Sequence, residues 1–382
     1  MLRNFSVIII CKNEERVIKR CIESIQKNLK KNDEIIVVDT GSTDNTIKII
    51  SSIENVKLFN YEWKDDFADA RNFGISKAKK DWIFFIDSDE IMSKGCLEQL
   101  NASINEAMAY SENNEKLVFS PKAVNTDDSV FYNAGRIFAN DGNIKYEGCV
   151  HEYPVVTDKS LTLVSLKLPR VIVRHDGYEK EVRADKNKTV RNITLIKKIL
   201  QEEPNNSQYY YYYYYRDSKP LITIEEYEQG MLNFFEKFPD SPYIDQVVRD
   251  LAYHYIQVGK NELAEEYINM LFESAENGAK ENYHLAILYT GMNEMGKIKA
   301  QQKDILKLLV YAHDNVLQQE EELFDKGYIF DDLISILFFQ IEEYETAYKI
   351  CEKLDSCGYA SNISKMISKL KVVLSPNSKN FR

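Results

Sequence analysis

Apolar positions along this chain change their period near residue 180, and the change separates two kinds of architecture. Before that point short β-prone runs alternate with helical spacing. Phe5-Ser6-Val7-Ile8-Ile9-Ile10 reads as a buried strand, Cys11-Lys12-Asn13-Glu14-Glu15 as a polar turn, and Val17, Ile18, Cys21, Ile22, Ile25 and Leu29 as the apolar stripe of a helix. A second strand, Glu34-Ile35-Ile36-Val37-Val38-Asp39, runs into the turn-forming, helix-capping cluster Thr40 to Thr46 ahead of Ile47, Ile49 and Ile50. Strand, turn and helix in this order open a β-α-β unit. Ile83 to Ile86 forms a further apolar run, followed by a helix over Cys96 to Met108 and strand-like segments at Lys116 to Ser120 and Arg136 to Phe138.

From about Glu181 the pattern is helical. Val190, Ile193, Ile196, Ile199 and Leu200 mark one helix, which Pro204-Asn205-Asn206 ends. Tyr209 to Tyr215 are seven consecutive tyrosines, read as core filling by their apolar bodies, with a dedicated aromatic binding platform as the alternative. Leu251-Ala252, Tyr255, Gly259, Ala264 and Tyr267 have the spacing of a tetratricopeptide unit, in which small residues let two helices pack closely. Weaker echoes run through Leu285, Leu288, Gly296 and Ala300, and through Ile336, Phe338, Phe339, Tyr344, Ala347, Tyr348 and Cys351. The expected division is an α/β domain over 1–180, a linker helix over 181–204 and a helical hairpin array over 205–375. The array is assigned acceptor recognition or homodimer formation, and residues beyond Ser375 form a polar tail.

The chemistry concentrates where the third strand stops. Asp87-Ser88-Asp89-Glu90 delivers two carboxylates one residue apart at the carboxyl edge of a sheet, where α/β proteins bind ligands and where Mg²⁺ or Mn²⁺ can bridge protein to phosphates. Asp39 at the tip of the second strand can accept hydrogen bonds from a ribose or a base edge, and Gly41 lets backbone approach a ligand. A second reading has Asp39 and Asp44 only capping turns. In Trp63 to Asn72, Arg71 is a planar permanent cation suited to phosphate, and Asn72 supplies both donors and acceptors. The competing reading is a helix start in which Arg71 pairs with Asp65 or Asp66.

These strings, Ser6 to Glu14, Val37 to Thr46, Trp63 to Asn72 and Asp87-Ser88-Asp89, resemble in order and spacing the signatures of bacterial family 2 glycosyltransferases with the GT-A, Rossmann-like fold. The resemblance covers roughly residues 5 to 180. It implies an inverting transferase using a nucleotide sugar, with Asn13, Glu14, Asp39, Asp66, Arg71, Asn72, Asp87 and Ser88 at the nucleotide sugar and Asp87 with Asp89 at a divalent cation. A Val-His-Glu string at 150–152 and a later His175 in an Arg-His-Asp-Gly-Tyr context are similar to recurring features of that family. Inverting transfer needs a base for the acceptor's proton while metal and diphosphate stabilise the departing anion. Glu152 is the first candidate for that base and Glu147 the second, and His175 or His151 is placed to complete the metal shell. With helical repeats appended, the chain is similar to peptide S-glycosyltransferases that modify bacteriocin precursors of the sublancin type. The implied reaction moves glucose or N-acetylglucosamine from a UDP-sugar to a Cys or Ser of a peptide. Transfer to a cell-surface glycan or lipid-linked sugar, or a scaffold that has lost catalysis, are the alternatives.

Composition narrows the partners. With 49 Lys and Arg against 60 Asp and Glu, the formal charge of −11 disfavours nucleic acid and anionic lipid. No apolar stretch approaches the roughly 20 residues of a membrane span, and Met1 lies too close to the first strand for a leader, so a cytosolic protein is expected. The six cysteines contain no Cys-x-x-Cys pair and read as reduced thiols, mostly in the core.

Overall fold

The computed structural model describes residues 3–132, 135–175, 186–202, 208–315 and 328–366. The chain divides into two compact units, with the boundary in the sequence between Ser218 and Lys219.

The first unit is built on a nine-stranded mixed sheet. β1 (Phe5–Cys11), β2 (Glu34–Asp39), β3 (Val56–Asn60) and β4 (Trp82–Phe85) run parallel in the order β3-β2-β1-β4. The sheet then continues through β8 (Ile137–Ala139), β6 (Glu115–Val124), β11 (Thr162–His175) and β5 (Glu90–Met92), with β7 (Val130–Tyr132) beside β6. The strands next to the site are antiparallel: β8 pairs with both β4 and β6, and β5 pairs with β11. A two-stranded ribbon, β9 (Ile144–Glu147) with β10 (Tyr153–Val156), stands apart.

Two cores follow from the strand period of two. Val7, Ile9, Ile35, Val37 and Phe84 face one side, with α1 (Ile18–Gln26) and α4 (Cys96–Met108) over them. Ile8, Ile36, Val38, Ile83 and Phe85 face the other, under α3 (Phe67–Lys77). Every residue of β2 is buried, as a strand covered on both faces requires. α3 reaches the sheet so closely that a Cβ on Gly74 would stand 2.9 Å from Ile8 Cγ2, so only glycine fits there. α2 (Thr46–Ser51) completes the second β-α-β turn. Helices α5 (Lys186–Glu202) and α6 (Gln208–Ser218) close the unit, packed on each other.

The described part of the second unit is helical: α7 (Ile224–Lys237), α8 (Ile244–Gln257), α9 (Asn261–Glu276), α10 (Glu281–Asn315), α11 (Tyr328–Gln340) and α12 (Tyr344–Ser356). An α/β unit followed by a helical region is the architecture the periodicity predicts. Leu251, Ala252, Tyr255 and Ala264 are buried between α8 and α9, joined through Gly259 at φ +73°. This is the hairpin the spacing marks. The echo through Leu285, Leu288, Gly296 and Ala300 is different, because all four lie on the single 35-residue helix α10 and Leu288 is 55% exposed. That echo reflects helical periodicity without a turn. Among the described residues no helix is long and apolar enough to cross a membrane.

Candidate active site

A cavity of about 480 Å³ opens in the first unit, lined by Ile10, Phe67, Arg71, Asp87, Arg136, Tyr146, Val150, His151, Glu152, Arg191, Asn192 and Tyr213. Its floor is the end of β4. Ile86 donates to the Ile8 carbonyl, and beyond it the chain turns with the Asp87 amide donating to Glu90 Oε2 at 2.9 Å. Phe85 donates to the Arg136 carbonyl, which sets Arg136, at the head of β8, beside Asp87. The two side chains meet as a fork, with both guanidinium nitrogens 2.6 Å from the two carboxylate oxygens.

Arg71 enters from α3, whose first turn Asp66 caps by accepting from the Asp69 amide at 2.9 Å. Arg71 is 7% exposed. Its Nε donates to Glu152 Oε1 at 2.6 Å, its Nη2 lies 3.6 Å from Asp87, and the Phe85 and Tyr146 rings flank the guanidinium. Its partners are therefore distant in sequence, and the pairing with Asp65 or Asp66 that the local pattern allowed is not the one formed. Burial alone would raise the Asp87 carboxyl, but Arg136 and then Arg71 hold it well below the usual carboxylate range. Glu90 goes the other way: burial, then the charge of Asp87, pushes it up to about 8.

The remaining residues singled out in the sequence take distinct places. Asp39, 1% exposed, accepts from the Gly41 and Ser42 amides, so it shapes the turn after β2. Asn13, at φ +57°, accepts from the Thr43 amide, and the Glu14 amide donates to Thr46 Oγ1, which ties the β1 and β2 turns together. Asn72 is turned to β9, where it donates to the Tyr146 carbonyl and accepts from the Tyr146 amide. Ser88 is buried. Glu147 is half exposed and pairs with Lys145 at 2.9 Å, outside the cavity lining. His151 lines the cavity and its Nε2 lies 2.5 Å from Asp217 Oδ2. His175, at the end of β11, lies 3.5 Å from Glu90 and stacks on Phe131.

Among the described residues no three or more His, Cys, Asp and Glu side chains form a ready metal cluster. A cation bridging protein to diphosphate needs only one or two protein ligands, the rest coming from phosphate and water. His175 fits that demand, since both its ring nitrogens are buried without a hydrogen bond. Asp89 directly precedes Glu90, the residue that faces His175, whereas Asp87 reaches a cation only by yielding the Arg136 fork.

Arg136, Glu90, Tyr146, Arg191, Asn192 and Tyr213 were not legible as site residues. Arg136 had one signal, a lone cation heading an apolar strand. Tyr146 had none, being one alternate residue of a short strand whose hydroxyl donates to the Gly135 carbonyl.

Residues 6–111 match the family model described as Glycosyl transferase family 2. The chain is 34% identical over 197 residues, 50% of its own length and 44% of the relative's, to the SPbeta prophage-derived glycosyltransferase SunS of Bacillus subtilis (strain 168). It is 29% identical over 185 residues, 46% of its length and 43% of the relative's, to a TPR repeat-containing protein of Synechococcus elongatus. The chain thus spans about half the length of the curated relatives it matches. Among solved structures, S. aureus TarS 1-349 is 16% identical over 75% of this chain and 91% of that one, with a TM-score of 0.37.

Proposed function

We propose that the first unit transfers a sugar from a UDP-sugar to an acceptor nucleophile, with inversion at the anomeric carbon. The observation that carries this reading is the cavity at the end of β4, where Arg71 and Arg136 stand beside Asp87, with Arg71 and Asp87 inside the stretch that matches the family 2 model. Two guanidinium groups fixed by carboxylates at the cavity favour a diphosphate, whose charge grows as the sugar leaves. Asp89 and His175 would hold a divalent cation, Mn²⁺ or Mg²⁺, which supplies further charge neutralisation at the leaving diphosphate. Asp87 sets Arg136, and Glu152 sets Arg71. Tyr146 packs against Arg71 and keeps that face dry.

The acceptor in this reading is a Cys or Ser side chain of a peptide. Support comes from the similarity to glycosyltransferase SunS and from a helical second unit of the kind that presents extended surfaces suited to peptides. The test is release of UDP from UDP-glucose and UDP-N-acetylglucosamine, with Mn²⁺ and a panel of Cys- and Ser-containing peptides, read with mass spectrometry of the peptides. UDP release with a sugar-sized mass gain is expected. Binding of neither UDP nor any UDP-sugar would overturn the reading, and transfer only to lipid-linked or glycan acceptors would replace the peptide.

A further inference from the structure

The tyrosine-rich helix α6 is tied to the short segment that carries Glu152 into the cavity. Tyr209 Oη donates to the Val150 and His151 carbonyls, and the Cys149 amide donates to Tyr210 Oη at 3.0 Å. Tyr213 stacks on the His151 ring with centroids 4.4 Å apart, and Arg216 lies 4.2 Å over the Tyr213 ring. Residues 209, 210, 213, 216 and 217 recur at helical spacing, so one face of α6 addresses this segment. Gly148, at φ +97°, accommodates the approach, because a Cβ there would meet Tyr209 Oη at 3.3 Å. His151 itself sits at φ +57°, a conformation uncommon for a side-chain-bearing residue and found where surroundings over-determine it.

The pairing of His151 fixes its tautomer. Nε2 stands 2.5 Å from Asp217 Oδ2 and 3.2 Å from Arg216 Nη2. Asp217 only accepts, so the shorter contact places the proton on Nε2. Arg216 is itself held by Asp217 Oδ1 at 2.8 Å. The neutral ring then has its lone pair on Nδ1, and the ring lines the cavity. Glu152, by contrast, has Oε1 engaged by Arg71. A base needs an open lone pair, and a carboxylate behind an imidazole orients the ring and stabilises the imidazolium that forms.

We propose that His151 is the group that takes the acceptor's proton and that Asp217 is its positioning residue, a proposal that rests on the transferase reading above. The acceptor's S–H or O–H proton passes to Nδ1. The freed electron pair forms the bond to the anomeric carbon, and the bond from that carbon to the diphosphate oxygen breaks with its electrons leaving on UDP. The imidazolium, held by Asp217 beside Arg216, returns its proton to solvent. Glu152 keeps Arg71 in place for the donor.

The experiment uses the full chain, UDP-glucose and UDP-N-acetylglucosamine as donors and water as surrogate acceptor, with UDP release measured beside UDP affinity by calorimetry. His151→Gln is expected to lower kcat on the order of 10²- to 10⁴-fold with donor KM and UDP affinity unchanged. Asp217→Ala should lower kcat less, again without a KM change. An independent arm reads the tautomer by ¹⁵N-histidine NMR of the resting protein, His151 being assigned among the five histidines by its loss in His151→Gln. The Nε2–H form is expected, and it should be lost or averaged in Asp217→Ala. A wild-type Nδ1–H form, or kcat within threefold of wild type in His151→Gln, overturns the proposal and leaves the transferase reading standing. Wild-type protein that neither binds UDP nor hydrolyses either donor overturns the transferase reading, and the base with it.

Discussion

Both units take polar groups out of water, but they arrange them to different ends. In the second unit the buried Asp332 accepts from the Asn362 amide and side chain, and the buried His254 pairs with Glu228, which Lys260 also holds. Both Asp332 and His254 are satisfied by partners that join neighbouring helices or fix a turn. In the first unit Arg71, Arg136, Asp87 and Glu152 gather around an open cavity. Nearly buried ion pairs seldom stabilise a fold relative to apolar packing of the same volume. Charges concentrated at a cavity rather than spread through helix contacts are therefore a sign of ligand chemistry, and a buried polar residue by itself is not.

The comparison predicts the largest effect where charge and cavity meet. Arg71→Met should cut UDP-sugar turnover on the order of 10²- to 10³-fold. The same change should destabilise the first unit by about 3–5 kcal/mol, since it leaves Glu152 without its partner. Turnover assays and urea unfolding of one preparation check both. A variant with normal turnover would show that the cluster serves folding alone.

A pair of truncations sharpens the boundary between the regions. A chain ending at Ser218 keeps α6 and should bind UDP like the full protein, whereas one ending at Asn205 lacks the contacts to Cys149, Val150 and His151 and should bind it much more weakly. Calorimetry decides. Equal affinities would mean that α6 does not shape the cavity.

Leu251→Ala removes a fully buried side chain from the α8–α9 hairpin. It should destabilise the second unit by about 2–5 kcal/mol and leave UDP affinity unchanged. A loss of UDP binding would join the two regions energetically.

The most gradual expected effect is a pH slope. Glu90 is an acid whose folded value, about 8, lies above its unfolded value of about 4.3. Its contribution to stability is fully present below the unfolded value and is lost as pH rises through about 8. Between those limits the slope is at most about 1.4 kcal/mol per pH unit. Urea midpoints between pH 5 and 9 should fall for the wild type, and Glu90→Gln should flatten this part of the profile.

Much of the frame could be read directly. β1, β2 and β4 are runs of apolar β-prone residues, and the sheet buries them on both faces, as such runs require. The Asp-Ser-Asp string lies beyond β4, and the pattern Leu251, Ala252, Tyr255, Ala264 forms a hairpin. The tyrosine run was harder. Core filling accounts for Tyr212, which is buried, but Tyr209, Tyr210 and Tyr213 act through hydroxyls and rings on a loop about sixty residues earlier. The clue was present in Arg216-Asp217, three and four positions after Tyr213 on the same helical face.

What the sequence determined by itself was local: the period of each element, the turn residues between elements and the identity of the carboxylates at strand ends. These depend on neighbours a few positions apart, where backbone geometry dictates which side chains share a face. What only the tertiary structure decided was partnership. Arg71 can reach Asp65, Asp66, Asp87 or Glu152 as far as its sequence shows, and the packing of α3 on the sheet beside β9 selects the last two. Likewise Arg136 is 49 positions from Asp87, and His151 is 66 from Asp217. Such pairs form because sheet order and helix packing bring distant segments together, and chain periodicity carries no record of which strand becomes whose neighbour.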